Sequence, residues 1–195
     1  MNEAHTRRVI AEGKYVRLVA QGRWEWAERT NTKAAAVIVA VTADGRMVLI
    51  EQYRHPLGAW VVELPAGLVG DEPGAGQEDW IEAARRELWE EAGYVSEDWQ
   101  YLLEGPSSPG LTSEHYSMYL AMGAKKVGEG GGDESEDIRV CPVPLDQVEA
   151  WLDEQRRRGL QVDPKVYIGL YFAMRAVNPE TNDVPTLEHG NEKKH

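Results

Sequence analysis

A single cysteine, Cys141, is all the sequence holds. It excludes an internal disulfide framework and a cysteine-based zinc cluster, so neither a stapled secreted scaffold nor a zinc finger survives. Long apolar runs are missing too: nothing approaches the roughly 18 consecutive apolar residues of a membrane span. The opening Met1-Asn2-Glu3-Ala4-His5 lacks the charged-then-apolar layout of a secretory leader. These absences predict a protein of the reducing cytoplasm with no membrane attachment. Positive charge is scarce, with 21 Lys and Arg against 33 Asp and Glu and a formal net charge of −12. Such a field repels phosphate backbones, which argues against nucleic acid as a partner, and an anionic ligand would need a cation as mediator. No repeat, heptad series or domain linker is visible, and no histidine stands in a metal or triad spacing. What is present is one ordinary core's worth of chain: 195 residues, 42% of them hydrophobic.

The first third reads as short strands rich in β-branched and aromatic residues: 15–20, 23–30, 34–42 and 46–53, the last pair joined by the turn Ala43-Asp44-Gly45. A strand over 60–64 follows. The period then changes, because Ile81, Ala84, Leu88 and Ala92 recur at helical spacing and predict an amphipathic helix over 78–92. Strand text resumes at 114–122 and 137–143, and two helices are predicted over 145–158 and 164–177, with Pro144 and Asp163-Pro164 as starts. Residues 67–76 and 128–135 have loop composition, and 178–195 form a polar tail. Strands first, with helices interspersed later, predict an α/β (α+β) sandwich rather than a regular βαβ repeat.

The chemistry lies in the helix at 78–92. Glu87, Glu90 and Glu91 stand at i, i+3 and i+4, so they project from one face while Ile81, Ala84 and Leu88 hold the other against a sheet. Three like charges so close cost helix stability, and a hard divalent cation between their oxygens offsets that cost. Gly93 stops the helix. An acidic helix face is ordinarily just a solvated one; here the order of residue types decides.

Glu78, seven residues, then Arg86-Glu87-Leu88-x-Glu90-Glu91-x-Gly93-Tyr94 resembles the Nudix box, G-x5-E-x7-R-E-U-x-E-E-x-G-U, at eight specified positions in register. Glu63-Leu64-Pro65-Ala66-Gly67 resembles the strand and turn that precede the box. One departure is plain: ten residues rather than five separate Gly67 from Glu78. The extra length falls in a loop, where it costs little closure entropy. Outside the box, Ser108-Pro109-Gly110, Thr112-Ser113-Glu114, the acidic run Asp133 to Ile138 and Ile50-Glu51-Gln52-Tyr53-Arg54 resemble the ADP-ribose pyrophosphatase branch.

That resemblance implies a Nudix fold, an α/β/α sandwich around a mixed sheet over residues 34–177. Residues 1–33 would supply extra N-terminal strands exchanged in a homodimer. It also implies Mg²⁺, with Mn²⁺ as a substitute, ligated by Glu87, Glu90, Glu91 and the carbonyl of Ala66, with Glu136 as a further metal contact. Arg86 braces the carboxylates, and Glu134 is the general base, with Glu136 as alternate. Substrate contacts are implied for Arg54, Leu68, Ser108, Pro109, Gly110 and Glu114, and for Tyr15 and Arg29 reaching the partner's ligand. The aromatic platform for a nucleobase is left open among Tyr15, Trp24 and Trp26, while Trp60, Trp80, Trp89, Trp99 and Trp151 are assigned to packing or partial burial, Trp89 standing between the carboxylates in sequence. The implied activity is hydrolysis of the diphosphate bond of ADP-ribose, to AMP and ribose 5-phosphate, or of related nucleoside diphosphate sugars. GDP-mannose, a dinucleoside polyphosphate, or a Nudix-fold regulator that binds without hydrolysing are the alternatives.

Overall fold

The structure is a computed structural model that describes residues 6–32, 34–70, 79–132 and 137–178. Its centre is a mixed sheet of nine strands. They are β4 (Ala34–Thr42), β5 (Arg46–Arg54), β6 (Ala59–Glu63), β7 (Ala66–Leu68), β8 (Tyr94–Val95), β9 (Asp98–Pro106), β10 (His115–Lys126), β11 (Ile138–Pro144) and β12 (Gln161–Val162). The main path runs β12-β6-β5-β4-β10-β8, with β11 on β5, β7 on β4 and β9 on β10. The β10–β4 and β12–β6 pairs are parallel and the others antiparallel.

Alternation along β4 explains the layers. Ala36, Ile38 and Ala40 face α1 (Trp80–Ala92) and pack with Ala84, Leu88 and Ala92. Val37, Val39 and Val41 face the other way, onto α2 (Val148–Arg157) and α3 (Lys165–Val177), against Leu152, Val166 and Leu170. A strand that is apolar on both faces has to be covered on both, and the helices do so. A helix–sheet–helix sandwich follows, as the sequence predicts.

A separate antiparallel sheet is built from β1 (Arg8–Glu12), β2 (Val16–Gln21) and β3 (Trp24–Arg29). It is tied to the body where the Ala27 N–H donates to the Leu111 carbonyl at 2.8 Å and the Ser113 N–H to the Ala27 carbonyl at 3.2 Å. β1 and β9 have no counterpart in the sequence reading: β1 is fully exposed, and β9 alternates between exposed and half-buried positions without a strong apolar stripe. Glu78 and the tail 179–195 lie outside the described residues. Among those described, no helix is long and apolar enough to cross a membrane.

Candidate active site

The sheet opens between β4 and β5. They pair only at Ala40↔Val48 and Val41↔Met47, after which β7 takes over the β4 edge at Ala35 to Val37 and the Ile38 N–H donates to the Pro65 carbonyl at 2.8 Å. This divergence leaves a cleft of about 1080 Å³, with α1 as one wall.

Glu87, Glu90 and Glu91 all line it. The sequence makes theirs an open face, and here the structure differs. Glu91 is 3% exposed and Glu87 8%, because the chain from Pro65 to Leu68 lies across the helix. A buried carboxylate needs partners: Glu91 accepts from the Ala66 N–H at 2.8 Å, and Glu87 from Arg86 Nη1 at 2.8 Å. The same Nη1 reaches Glu90 at 3.1 Å, while Nη2 donates to the Leu68 carbonyl at 3.2 Å. Gly67 permits the crossing, since a Cβ there would fall inside the Glu87 carboxylate.

Three further cations line the same cleft, each held by its own acid. Arg29 pairs with Glu114, Arg54 with Glu63 (Nε–Oε1 2.9 Å), and Lys165 with Asp163. All six residues line the cleft. Arg29 therefore reaches the cleft of its own chain, whereas the sequence reading sends it to a partner's ligand. The strands explain why: β3 is bonded to the 111–113 segment beside Glu114.

Several expected residues are elsewhere. Ser108, Pro109 and Gly110 are exposed outside the cleft, which Ser107 lines instead, because this turn faces the β2–β3 hairpin. Pro109 and Gly110 border a smaller cavity of about 670 Å³ beside Trp24 and Trp26. Tyr15 is exposed on the N-terminal sheet, with its ring against Lys14. Trp89 is 54% exposed at the cleft wall rather than packed. Glu134 and Glu136 lie outside the described residues.

The glycine run before them is pinned. Gly131 and Gly132 N–H groups donate to the Glu91 and Glu90 carbonyls at 2.8 and 3.1 Å, capping the end of α1. Gly130, at φ 69°, lies so close to Glu91 and Ala92 that no Cβ fits. Their composition reads as loop in the sequence, and the structure spends them on close approach to the end of α1.

The donors of this carboxylate comb, Glu87, Glu90 and Glu91, are hard oxygens, which suits Mg²⁺ or Mn²⁺. Among the described residues no three acidic or histidine side chains already converge on one point. Arg86 bridges two of the carboxylates. Cys141 is no nucleophile, since burial pushes its thiol up to about 11. Asp163, Lys165, Glu63 and Glu129 also line the cleft without having been assigned from the sequence; Asp163-Pro164 is legible there only as a helix start.

Comparison with known proteins agrees with this geometry. The family profile described as NUDIX domain matches residues 31–162. A methanol dehydrogenase activator of Bacillus methanolicus is 34% identical over 75% of this chain and 80% of its own length. An ADP-ribose pyrophosphatase of Bacillus subtilis is 30% identical over 70% of the chain and 75% of its own length. A crystal structure of an ADP compounds hydrolase superposes with a TM-score of 0.65 at 21% identity, covering 92% of this chain and 95% of that one, which shows the shared fold.

Proposed function

The chain belongs to the Nudix family, as a hydrolase related to the ADP-ribose pyrophosphatases, and from that premise we propose a finer reading: Mg²⁺-dependent hydrolysis of ADP-ribose or a closely similar nucleoside diphosphate sugar. The observation that carries it is the cleft itself. It is lined by Glu87, Glu90 and Glu91 together with Arg29 and Arg54 in fixed ion pairs. A diphosphate diester is an anion with two different ends, and this cleft has charge for the middle and room for both.

Glu87, Glu90, Glu91 and the Ala66 carbonyl would hold the cation, whose chemistry is charge neutralisation of the diphosphate and activation of water. Arg54, held by Glu63, and Arg29, held by Glu114, orient the substrate's anionic centre, while Leu68 lines the cleft beside Arg86. Arg86 counterbalances the comb until the cation arrives. Glu134, or Glu136 two residues on, takes the proton of the attacking water, because the comb's lone pairs are committed to the metal. The exposed apolar residues of the N-terminal sheet, Val9, Val16, Leu18 and Trp24 among them, are the surface for a second copy in a homodimer. In that dimer Tyr15, Ser108, Pro109 and Gly110 would meet ligand from outside their own cleft.

One relative supports a second reading. The methanol dehydrogenase activator suggests a regulator that acts on another protein. The two separate on a panel of ADP-ribose, GDP-mannose and a dinucleoside polyphosphate incubated with Mg²⁺, with products resolved by chromatography. ADP-ribose cleaved fastest supports the hydrolase; binding without cleavage of any member supports the regulator.

A further inference from the structure

At the end of the cleft formed by β6, β12 and α3, Asp163 and Lys165 stand beside Tyr116. The family profile ends at residue 162, so this pair enters the cleft from just beyond it. Its geometry is built rather than incidental. The Asp163 N–H donates to the Val62 carbonyl at 3.0 Å, which fixes the residue to the strand that carries Glu63. Asp163 Oδ1 accepts the Lys165 N–H at 2.8 Å, and Oδ2 is ion-paired with Lys165 Nζ. That ammonium lies 5.8 Å from the centre of the Tyr116 ring. Tyr116, in β10, lines the same cleft as Glu114, which stands two residues earlier, just before the strand.

We propose that Asp163, Lys165 and Tyr116 form a subsite for the vicinal hydroxyls of the sugar that caps the diphosphate, and so select sugar-capped substrates. The inference rests on the reading of the cleft as a nucleoside diphosphate sugar site. An ammonium has three donors and a carboxylate about four acceptor positions, so the pair keeps donors and acceptors to spare after its own contacts. Each sugar hydroxyl is both donor and acceptor, and two neighbouring ones match a carboxylate and an ammonium held side by side. A hydroxyl donates to the carboxylate and accepts from the ammonium, whereas a phosphate only accepts and would leave Asp163 without a donor, so the pair suits a polyol better. The tyrosine ring offers the C–H face of the sugar an apolar surface.

The test is calorimetric titration of the intact protein and Lys165→Gln with ribose 5-phosphate and, separately, AMP, alongside KM and kcat for ADP-ribose. Lys165 is on the cleft surface and caps nothing with its side chain, so the variant keeps the fold. We expect ribose 5-phosphate to bind about tenfold more weakly to the variant, the loss of one charge-assisted hydrogen bond. AMP affinity should stay within twofold, and KM for ADP-ribose should rise without a matching fall in kcat. Unchanged ribose 5-phosphate affinity, or an equal loss for AMP, overturns the subsite. Because the titration does not depend on turnover, a protein that binds the sugar phosphate but hydrolyses nothing refutes the hydrolase reading and leaves this result standing.

Discussion

Gly67 shows how one absent atom sets the site. Its neighbour Glu87 fills the space a side chain would take, and the reason is steric room rather than backbone torsion. Gly67→Ala should therefore force Glu87 or the β7 turn aside. The expected cost is about 1–3 kcal/mol of stability, the usual range for overpacking, read from denaturant unfolding, together with weaker divalent-ion affinity. A variant as stable as the wild type that binds Mn²⁺ equally well would mean the crossing is loose. At this scale much was legible. Spacing placed Glu87, Glu90 and Glu91 on one face, and the structure puts all three in the cleft. Burial was not legible, because no local pattern tells that the chain from Pro65 to Leu68 will cross the helix. For the same reason Glu91→Gln is better than alanine as a probe: the amide oxygen can still accept the Ala66 N–H, while the ligand charge is gone.

Among the elements, the N-terminal sheet hangs on a single carboxylate. Glu28 accepts from Arg7 Nη2 at 2.5 Å, Trp26 Nε1 at 2.8 Å and Arg17 Nε at 3.0 Å. Burial works against its ionisation, but those hydrogen bonds outweigh it and hold its carboxyl below the usual range. A folded value below the unfolded one stabilises the sheet above the ordinary carboxylate range near about 4.3. That contribution is lost as pH falls through the depressed folded value. Protection factors of the β1–β3 amides, which allow for the intrinsic exchange rate, should fall in that acid window, and Glu28→Gln should flatten the dependence; an identical acid profile in the variant would remove Glu28 from the account. β4 was legible to its ends because it is apolar on both faces. β1 and β9 were not, since β1 is exposed along its whole length and β9 carries no regular alternation. The Gly128–Gly132 segment shows a subtler miss. Its composition says loop, yet its glycines are spent on contact with the end of α1.

For the whole molecule, the fold class followed from element order and the family from the box, while the pairing of cations with acids across the cleft needed the tertiary structure. Arg29, Arg54 and Lys165 come from three separate parts of the chain, and no sequence window contains two of them with their acids. An N-terminal sheet with Trp24 63% exposed predicts assembly: light scattering should give twice the 21.9 kDa chain mass, and a persistent monomer would refute the dimer. The central claim is that this carboxylate comb and the cations lining the same cleft break a diphosphate with the help of a divalent ion. ADP-ribose incubated with the protein in Mg²⁺, and in parallel with excess EDTA, tests it when the products are separated by ion-exchange chromatography. The account predicts AMP and ribose 5-phosphate in equal amounts with Mg²⁺, with turnover abolished by the chelator and reduced about 100-fold or more by Glu91→Gln. Undiminished hydrolysis in EDTA, or ADP-ribose left whole in Mg²⁺, would contradict it.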